Sequence, residues 1–169
     1  MGIDVLLADA FRYPAPGRLE ALQEGLAALP TGAAKNHLKD FVEQISSLSL
    51  GEWEELYTRT LDLNPPATPY IGYQTWGESY KRGEFMALIN REMNALGIDA
   101  DGELPDHLIP VLLYLGRSPR PVPEVLEILG PSVQRMRHVL HKKDPGNPYL
   151  SLFDAVVSLP KNEKQAENG

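Results

Sequence analysis

The sequence has 169 residues, of which 43% are hydrophobic and 23% are charged, and its 23 acidic and 16 basic residues give a formal net charge of −7. This length and composition are typical of a single globular domain with its own hydrophobic core. The absence of cysteine excludes disulfides, thiolate zinc sites and cysteine nucleophiles, and the negative charge disfavours nucleic acid as a partner.

The N-terminal residues predict a cytoplasmic protein. Residues 1–14 have no basic opening, no long apolar run and no small-residue cleavage site, so we expect neither a signal peptide nor a membrane-spanning helix. The chain begins Met1-Gly2, but Leu6 stands where a myristoylation motif needs Ser or Thr. We therefore expect no direct insertion into a membrane.

Four helices are expected before residue 62. Apolar residues recur at i, i+3, i+4 and i+7, which places them on one face of a helix. Ser49 and Glu52 match the Ser-x-x-Glu capping box, so the fourth helix is expected to begin at Leu50. The four stripes are Ile3, Leu6, Leu7, Ala10 and Phe11; Leu19, Leu22, Leu26 and Leu29; Leu38, Phe41, Val42, Ile45 and Leu48; and Trp53, Leu56, Tyr57 and Leu61.

Proline and glycine divide the middle of the chain. The three prolines within residues 65–69 predict an extended connector, because each proline fixes φ and lacks an N–H. Residues 70–96 predict two helices that meet near Gly77. Ser79 is a candidate cap for the second of these helices, and Gly97 is a candidate left-handed stop.

The last third of the chain predicts four more helices. Gly116 and Gly130 are expected to end the first two of them, and Pro131 suits the start of the third. No window alternates apolar and polar residues long enough to indicate a strand. We therefore predict an all-α fold, a single compact helical bundle of about nine short helices over residues 1–160, with a disordered polar tail at 161–169. The last four predicted helices span 104–115, 122–129, 133–140 and 149–159.

The least generic segment is Glu-Leu-Pro-Asp-His-Leu-Ile-Pro at residues 103–110. Pro110 cannot donate to the carbonyl of Asp106, so an irregular helix start with an unpaired carbonyl is expected. Two interpretations remain open. Glu103, Asp106 and His107 form a polar cluster that receives donors from a cationic peptide. Alternatively, Glu103 and Asp106 cap the helix that follows, where its dipole favours negative charge, and His107 satisfies a neighbouring loop.

Sites for metal binding or catalysis have little support in the sequence. A divalent ion held by Glu103, Asp106 and His107 would need further ligands that the sequence does not indicate. His138 and His141 are three residues apart but lie in a cationic run, which disfavours a metal ion. No serine lies in a nucleophile elbow and no glycine pattern matches a phosphate-binding loop. We expect a protein that is not an enzyme and that uses no cofactor.

Aromatic residues are concentrated around the proline connector and the helix after it. Core packing accounts for most residues of this kind. A few of them at the mouth of a groove are expected to anchor a partner helix. The set is Tyr57, Tyr70, Tyr73, Trp76, Tyr80 and Tyr114.

Residues 77–108 resemble a known family. They contain Gly77-Glu78-Ser79, then Arg82-Gly83, then a predicted helix, the Gly97 turn, and Glu-Leu-Pro-Asp-His-Leu at 103–108. This order and spacing resemble the nitrate reductase delta-subunit (NarJ-like) family of maturation chaperones for molybdenum enzymes. Weaker likenesses extend the resemblance to nearly the whole chain, at Tyr13-Pro14, Tyr57, Leu61-Asp62 and Leu152-Phe153-Asp154.

The resemblance implies an all-helical chaperone that binds the N-terminal segment of the apo catalytic subunit of a molybdenum oxidoreductase while the molybdenum cofactor is inserted. A basic, amphipathic client peptide is expected in a groove lined by aromatic side chains, with Glu78, Glu103 and Asp106 at its cationic end. The residues expected to bind the client peptide are Tyr70, Tyr73, Trp76, Gly77, Glu78, Arg82, Glu103, Asp106, His107 and Tyr114.

Several points stay open at the level of sequence. Ile109 separates the motif from Pro110, and apolar residues around Leu113 replace a carboxylate that is common in the family, so the shape of the groove is not fixed. A constitutive structural subunit of an oxidoreductase complex is the main alternative, and a metal-assisted enzyme is a weaker one. A monomer or a weak dimer is expected.

Overall fold

Helices account for the secondary structure of this protein. The computed structural model describes residues 2–62 and 68–160, and these contain nine α-helices and no β-strand, which confirms the all-α prediction. The predicted connector at Pro65 and Pro66 and the predicted tail at 161–169 lie outside the described residues. The helices are α1 (Ile3–Ala10), α2 (Arg18–Ala28), α3 (Ala33–Ile45), α4 (Leu50–Tyr57), followed by a π-helical turn (Thr58–Asp62), α5 (Ile71–Trp76), α6 (Tyr80–Ala95), α7 (Leu108–Arg117), α8 (Pro123–Lys143) and α9 (Tyr149–Val157).

One hydrophobic core joins these helices. α3 packs along α9, α1 packs along α7, and α8 contacts both α5 and α9. Aromatic rings bridge the layers, with centroids 5.0 Å apart for Phe41 and Tyr149 and 5.8 Å apart for Phe11 and Phe153. The buried indole N–H of Trp53 donates to the Tyr149 hydroxyl at 3.2 Å, so these two large side chains satisfy each other's polar atoms.

Two predicted helix boundaries are confirmed in detail. The Glu52 N–H donates to the Ser49 hydroxyl at 3.1 Å and the Ser49 N–H donates to the Glu52 carboxylate at 2.9 Å, which forms the predicted capping box. Gly97 has a φ of 68° and ends α6, and the N–H of Ile98 donates to the carbonyl of Met93 at 2.9 Å. This Schellman arrangement needs the left-handed conformation that glycine adopts most easily.

The predicted break at Gly130 and Pro131 is wrong. α8 runs as one helix of 21 residues with Pro131 inside it. Pro131 removes one hydrogen bond of the helix, but it lies on the exposed side, where water can hydrate the freed carbonyl. On the opposite side, Leu129 and Val133 are buried in the core, so packing against α5 and α9 keeps the helix continuous.

The predicted helix over residues 104–115 does not begin at residue 104, and the irregular start expected at Pro110 is also wrong. α7 begins at Leu108, so Pro110 is its third residue, where a backbone N–H would have no acceptor within the helix. The carbonyl of Asp106, expected to be unpaired, accepts the N–H of Ile71 at 2.9 Å. Proline is therefore compatible with a regular helix at this position.

Gly116 lies within α7 and does not end it, contrary to the prediction. The helix continues to Arg117. A Cβ atom on Gly116 would lie 3.0 Å from a methyl carbon of Val5 and 3.3 Å from the Cβ of Asp4. The glycine therefore allows α1 and α7 to approach closely.

None of the helices among the described residues combines the length and the hydropathy that crossing a bilayer requires.

Candidate functional site

The predicted site is built where the chain before α5 meets the chain before α7. The residues that flank Tyr70 and His107 exchange two backbone hydrogen bonds of 2.9 and 3.1 Å, which form a short antiparallel bridge. The rings of Tyr70 and His107 meet edge to face, with centroids 5.0 Å apart. Two segments that are distant in sequence are therefore fixed side by side.

An arginine from α6 closes this site from the other side. The Arg82 guanidinium donates to both carboxylate oxygens of Asp106, through Nε at 2.9 Å and Nη2 at 3.2 Å. The side chain of Asp106 is 0% exposed and that of Arg82 is 14% exposed. The guanidinium carbon also lies 5.5 Å from the ring centroids of Tyr70 and Tyr73. We call Arg82, Asp106, Tyr70 and His107 the clip; Asp106 and His107 are buried, and Arg82 and Tyr70 are partly buried.

The electrostatics of the clip favour a charged arginine. Its hydrogen bonds to Asp106 raise the pKa of Arg82, which outweighs the opposing effect of burial. A planar, bidentate arginine–carboxylate pair has a fixed geometry, and the two tyrosine rings attract the cation further. The clip therefore ties the first turn of α6 to the segment before α7.

Gly72 makes room for the clip, and the sequence did not identify it. A Cβ atom on Gly72 would lie 2.7 Å from Oδ2 of Asp106 and 3.2 Å from Cγ of Arg82. The glycine lies in the short helix α5, where glycine is otherwise unfavourable. The sequence offers one sign of this close packing, which is a glycine inside a predicted helix. That sign does not show which side chains approach the glycine.

Glu103 and His107 satisfy groups inside the protein. The Tyr70 hydroxyl donates to Glu103 at 2.7 Å. The pKa of Tyr70 is raised, mainly by burial and to a smaller extent by this hydrogen bond. Burial lowers the pKa of His107, and its Nδ1 accepts the N–H of Ile109 at 3.0 Å, so a neutral imidazole caps α7. The side chain that caps α7 is therefore His107, whereas the capping interpretation had assigned this role to Glu103 and Asp106.

Three predicted contact residues have little or no surface to offer a partner. Asp106 is fully buried and its carboxylate is bonded to Arg82, so its expected contact with a client cation is wrong. His107 is 5% exposed. Tyr114 is 0% exposed and its hydroxyl accepts the N–H of Val122 at 2.9 Å, so this residue belongs to the core and not to a groove.

Other predicted residues lie at the surface beside the clip. Tyr73 is 37% exposed, and Glu78 is exposed and close enough for its charge to act on Arg82. Tyr80, a member of the predicted aromatic set, is 75% exposed, and Leu104, which was not predicted as a contact, is 48% exposed. The residues that form this surface, which we call the rim, are Tyr73, Glu78, Tyr80, Glu103 and Leu104.

Trp76 and Gly77 shape the edge of the rim. The Trp76 ring is partly buried and packs on Phe85, with centroids 5.2 Å apart. Gly77 ends α5 with a φ of 65°, a conformation that favours glycine. Ser79 then precedes α6 as predicted, although among the described contacts its hydroxyl makes no capping hydrogen bond. These residues set the turn between α5 and α6 and thus the position of Glu78.

Comparison with known proteins does not extend the resemblance. No family model matches the chain, and no curated protein matches it. The likeness of residues 77–108 to the nitrate reductase delta-subunit family therefore stays a prediction, which depends on the motif residues and on how the structure arranges them.

The contacts of the acidic residues also bear on metal binding. Within residues 2–62 and 68–160, no group of three or more histidine, aspartate or glutamate side chains is arranged to hold a metal ion. Asp106 is bonded to Arg82, Glu103 accepts the Tyr70 hydroxyl, and His107 accepts a backbone N–H. Both carboxylate oxygens of Asp106 and Nδ1 of His107 are therefore engaged within the protein, as is Oε2 of Glu103.

A cavity of about 580 Å³ lies away from the clip. It is bounded by the connection between α2 and α3, the start of α1 and the end of α9. Its lining includes Ile3, Leu29, Pro30, Lys35 and Pro160, and it contains none of the predicted site residues. The predicted groove is therefore not this cavity.

Proposed function

We propose that the chain is a maturation chaperone, which binds the N-terminal segment of the apo catalytic subunit of a molybdenum oxidoreductase and assists insertion of the molybdenum cofactor. One observation carries the proposal. Arg82 and Asp106 come from the two motif segments that carry the family resemblance, and they form a buried bidentate pair across 24 residues of sequence. The two motifs thus build one structural unit.

We propose that the buried residues support the site and that the exposed residues contact the client. The clip is internally satisfied, so its contribution is to hold α6 and the chain before α7 in place. The rim beside it combines exposed aromatic and apolar side chains, Tyr73, Tyr80 and Leu104, with the carboxylates of Glu78 and Glu103. Such a surface suits a basic amphipathic peptide, whose apolar face packs on aromatic anchors while its cations meet carboxylates.

The proposed mechanism is binding and release. The chain makes and breaks no covalent bond, uses no cofactor of its own and acts in the cytoplasm before the client is complete. Affinity is expected to fall as salt is added, because Glu78 and Glu103 lie at a surface where charges are screened.

The experiment is titration calorimetry of the protein with a synthetic peptide of the client's N-terminal segment. Tyr73→Ala combined with Tyr80→Ala is expected to weaken binding by about 30-fold or more, which is typical of aromatic anchors. The matched control is Tyr13→Ala, another exposed tyrosine, which lies after α1 and is 50% exposed. Equal affinity of the Tyr73/Tyr80 variant and the control would place the client elsewhere.

A further inference from the structure

The exposed face of α8 carries a regular row of side chains. Positions three or four residues apart lie on the same side of a helix, and six exposed residues of α8 follow this spacing along the whole helix. The opposite side packs against α5 and α9. We call these six residues the α8 stripe: Glu124, Glu127, Pro131, Arg135, His138 and Lys142.

Charge is divided between the two halves of the α8 stripe. Glu124 and Glu127 lie in the N-terminal half, whereas Arg135, His138 and Lys142 lie in the C-terminal half. None of them forms an ion pair with another described residue. None has an oppositely charged neighbour three or four residues away within α8. The stripe therefore has charges of both signs that its own helix does not pair.

The helix dipole explains only part of this pattern. Acidic side chains at the start of a helix and basic side chains at its end are stabilised by the dipole, but the effect fades beyond the first and last turn. Glu127 is the fifth residue of α8, and Arg135 lies eight residues before its end at Lys143. These two inner charges therefore lie beyond the reach of the dipole.

We propose that the α8 stripe binds the same stripe of a second copy of this chain, with the two helices antiparallel about a two-fold axis near Pro131. In this arrangement Glu127 of one copy faces Arg135 of the partner subunit, and Glu124 faces His138 of the partner subunit, because the two members of each pair are equally far from Pro131 along α8. The stripe is self-complementary, which is the requirement for an isologous contact. The antiparallel helix dipoles also attract each other.

The size of the contact sets its strength. A helix of 21 residues is about 31 Å long, and one face of it covers less than the roughly 800 Å² per partner of a standard interface. The charges are exposed, so their attraction is screened by salt. The dimer is therefore weak, with a dissociation constant on the order of 100 μM to 1 mM at low salt.

The test is analytical ultracentrifugation of the full chain at low salt, at concentrations up to about 1 mM. Glu124→Lys with Glu127→Lys makes the four facing positions of the stripe (124, 127, 135 and 138) basic, and Arg135→Glu with His138→Glu makes all four acidic. Each variant alone is expected to be monomeric. An equimolar mixture of the two is expected to form a heterodimer at least as tight as the wild-type homodimer, because three of its four facing pairs join opposite charges and the fourth, His138 with Glu124, is the same as in the wild type.

The matched control is Glu20→Lys with Glu24→Lys on the exposed face of α2, which makes the same change in net charge away from the stripe. This control is expected to dimerise as the wild type does. Circular dichroism checks that each variant is helical, and Glu127→Gln with Arg135→Gln, which removes the charges of one facing pair, is a milder substitute for any variant that is not. A wild type that is monomeric throughout, reversal variants that associate with themselves, or a mixture that fails to associate would each overturn the proposal.

Discussion

Two bidentate arginine–aspartate pairs among the described residues have the same chemistry in different surroundings. In the clip, Asp106 is 0% exposed and Arg82 is 14% exposed. Between α8 and α9, Arg137 donates to both oxygens of Asp154, with side chains 37% and 30% exposed. Water can replace a lost partner at the second pair but not at the first. The comparison indicates that the clip fixes the local structure, whereas the Arg137–Asp154 pair contributes little to the free energy of unfolding.

Breaking the clip on one side is expected to have the largest effect. Arg82→Met leaves the Asp106 carboxylate buried without a counter-charge, which we expect to lower the free energy of unfolding by about 3–5 kcal/mol. Urea denaturation measures this change. The control is Arg82→Met with Asp106→Leu, which removes both charges and is expected to recover much of the loss. A single variant as stable as the wild type would show that the pair is not buried as described.

Crowding the clip is expected to have the next largest effect. Gly72→Ala places a methyl group 2.7 Å from the Asp106 carboxylate, where overpacking costs about 1–3 kcal/mol. The matched control is Gly83→Ala, an exposed glycine in α6 with no atom within 4 Å of an added Cβ. There the change is expected to stabilise the helix by up to about 1 kcal/mol. Thermal unfolding of both variants compares them, and equal shifts in Tm would contradict the close approach at Gly72.

A smaller effect is expected from the protonation of His107. Burial lowers its pKa in the folded protein, so at pH values below the ordinary histidine pKa of about 6.5 the unfolded chain binds more protons. The stability contributed by the neutral imidazole is therefore present above this pH and is lost as the pH falls. His107→Asn keeps an acceptor for the cap but does not titrate in this range. Its unfolding free energy, measured by urea titration from about pH 7.5 to about pH 5.5, should fall less steeply than that of the wild type.

The smallest effect is expected at the exposed pair. Asp154→Ala should reduce the free energy of unfolding by no more than about 1 kcal/mol, because Arg137 is already partly solvated. The same denaturation assay serves, and added salt should reduce the difference from the wild type further. A loss as large as that of Arg82→Met would remove the distinction between the two pairs.

Features that depend on neighbours in sequence were predicted well. The stripes that define α1 to α4, the Ser49–Glu52 capping box and the Gly97 stop are all set by residues within a few positions of one another. Helix periodicity and capping are local, so the sequence alone is sufficient to identify them. The all-α fold follows from the same signals.

Features that depend on tertiary packing were not predicted. α8 continues through Pro131 because Leu129 and Val133 are held in the core, and no local signal reports that. The pairing of Asp106 with Arg82 spans 24 residues of sequence, and the space left by Gly72 depends on both of these side chains. The sequence motifs indicated that residues 77–83 and 103–108 belong to one site, but they did not indicate that Asp106 and His107 are buried.

The most direct test of the chaperone proposal is co-purification of the tagged chain from cells that either make or lack the molybdenum cofactor, followed by mass spectrometry. The account predicts that the apo catalytic subunit of a molybdenum oxidoreductase is recovered with the chain when the cofactor is absent, and is released when the cofactor is supplied. A chain that remains bound to the mature, cofactor-loaded oxidoreductase, or that recovers no such subunit in either condition, would contradict it.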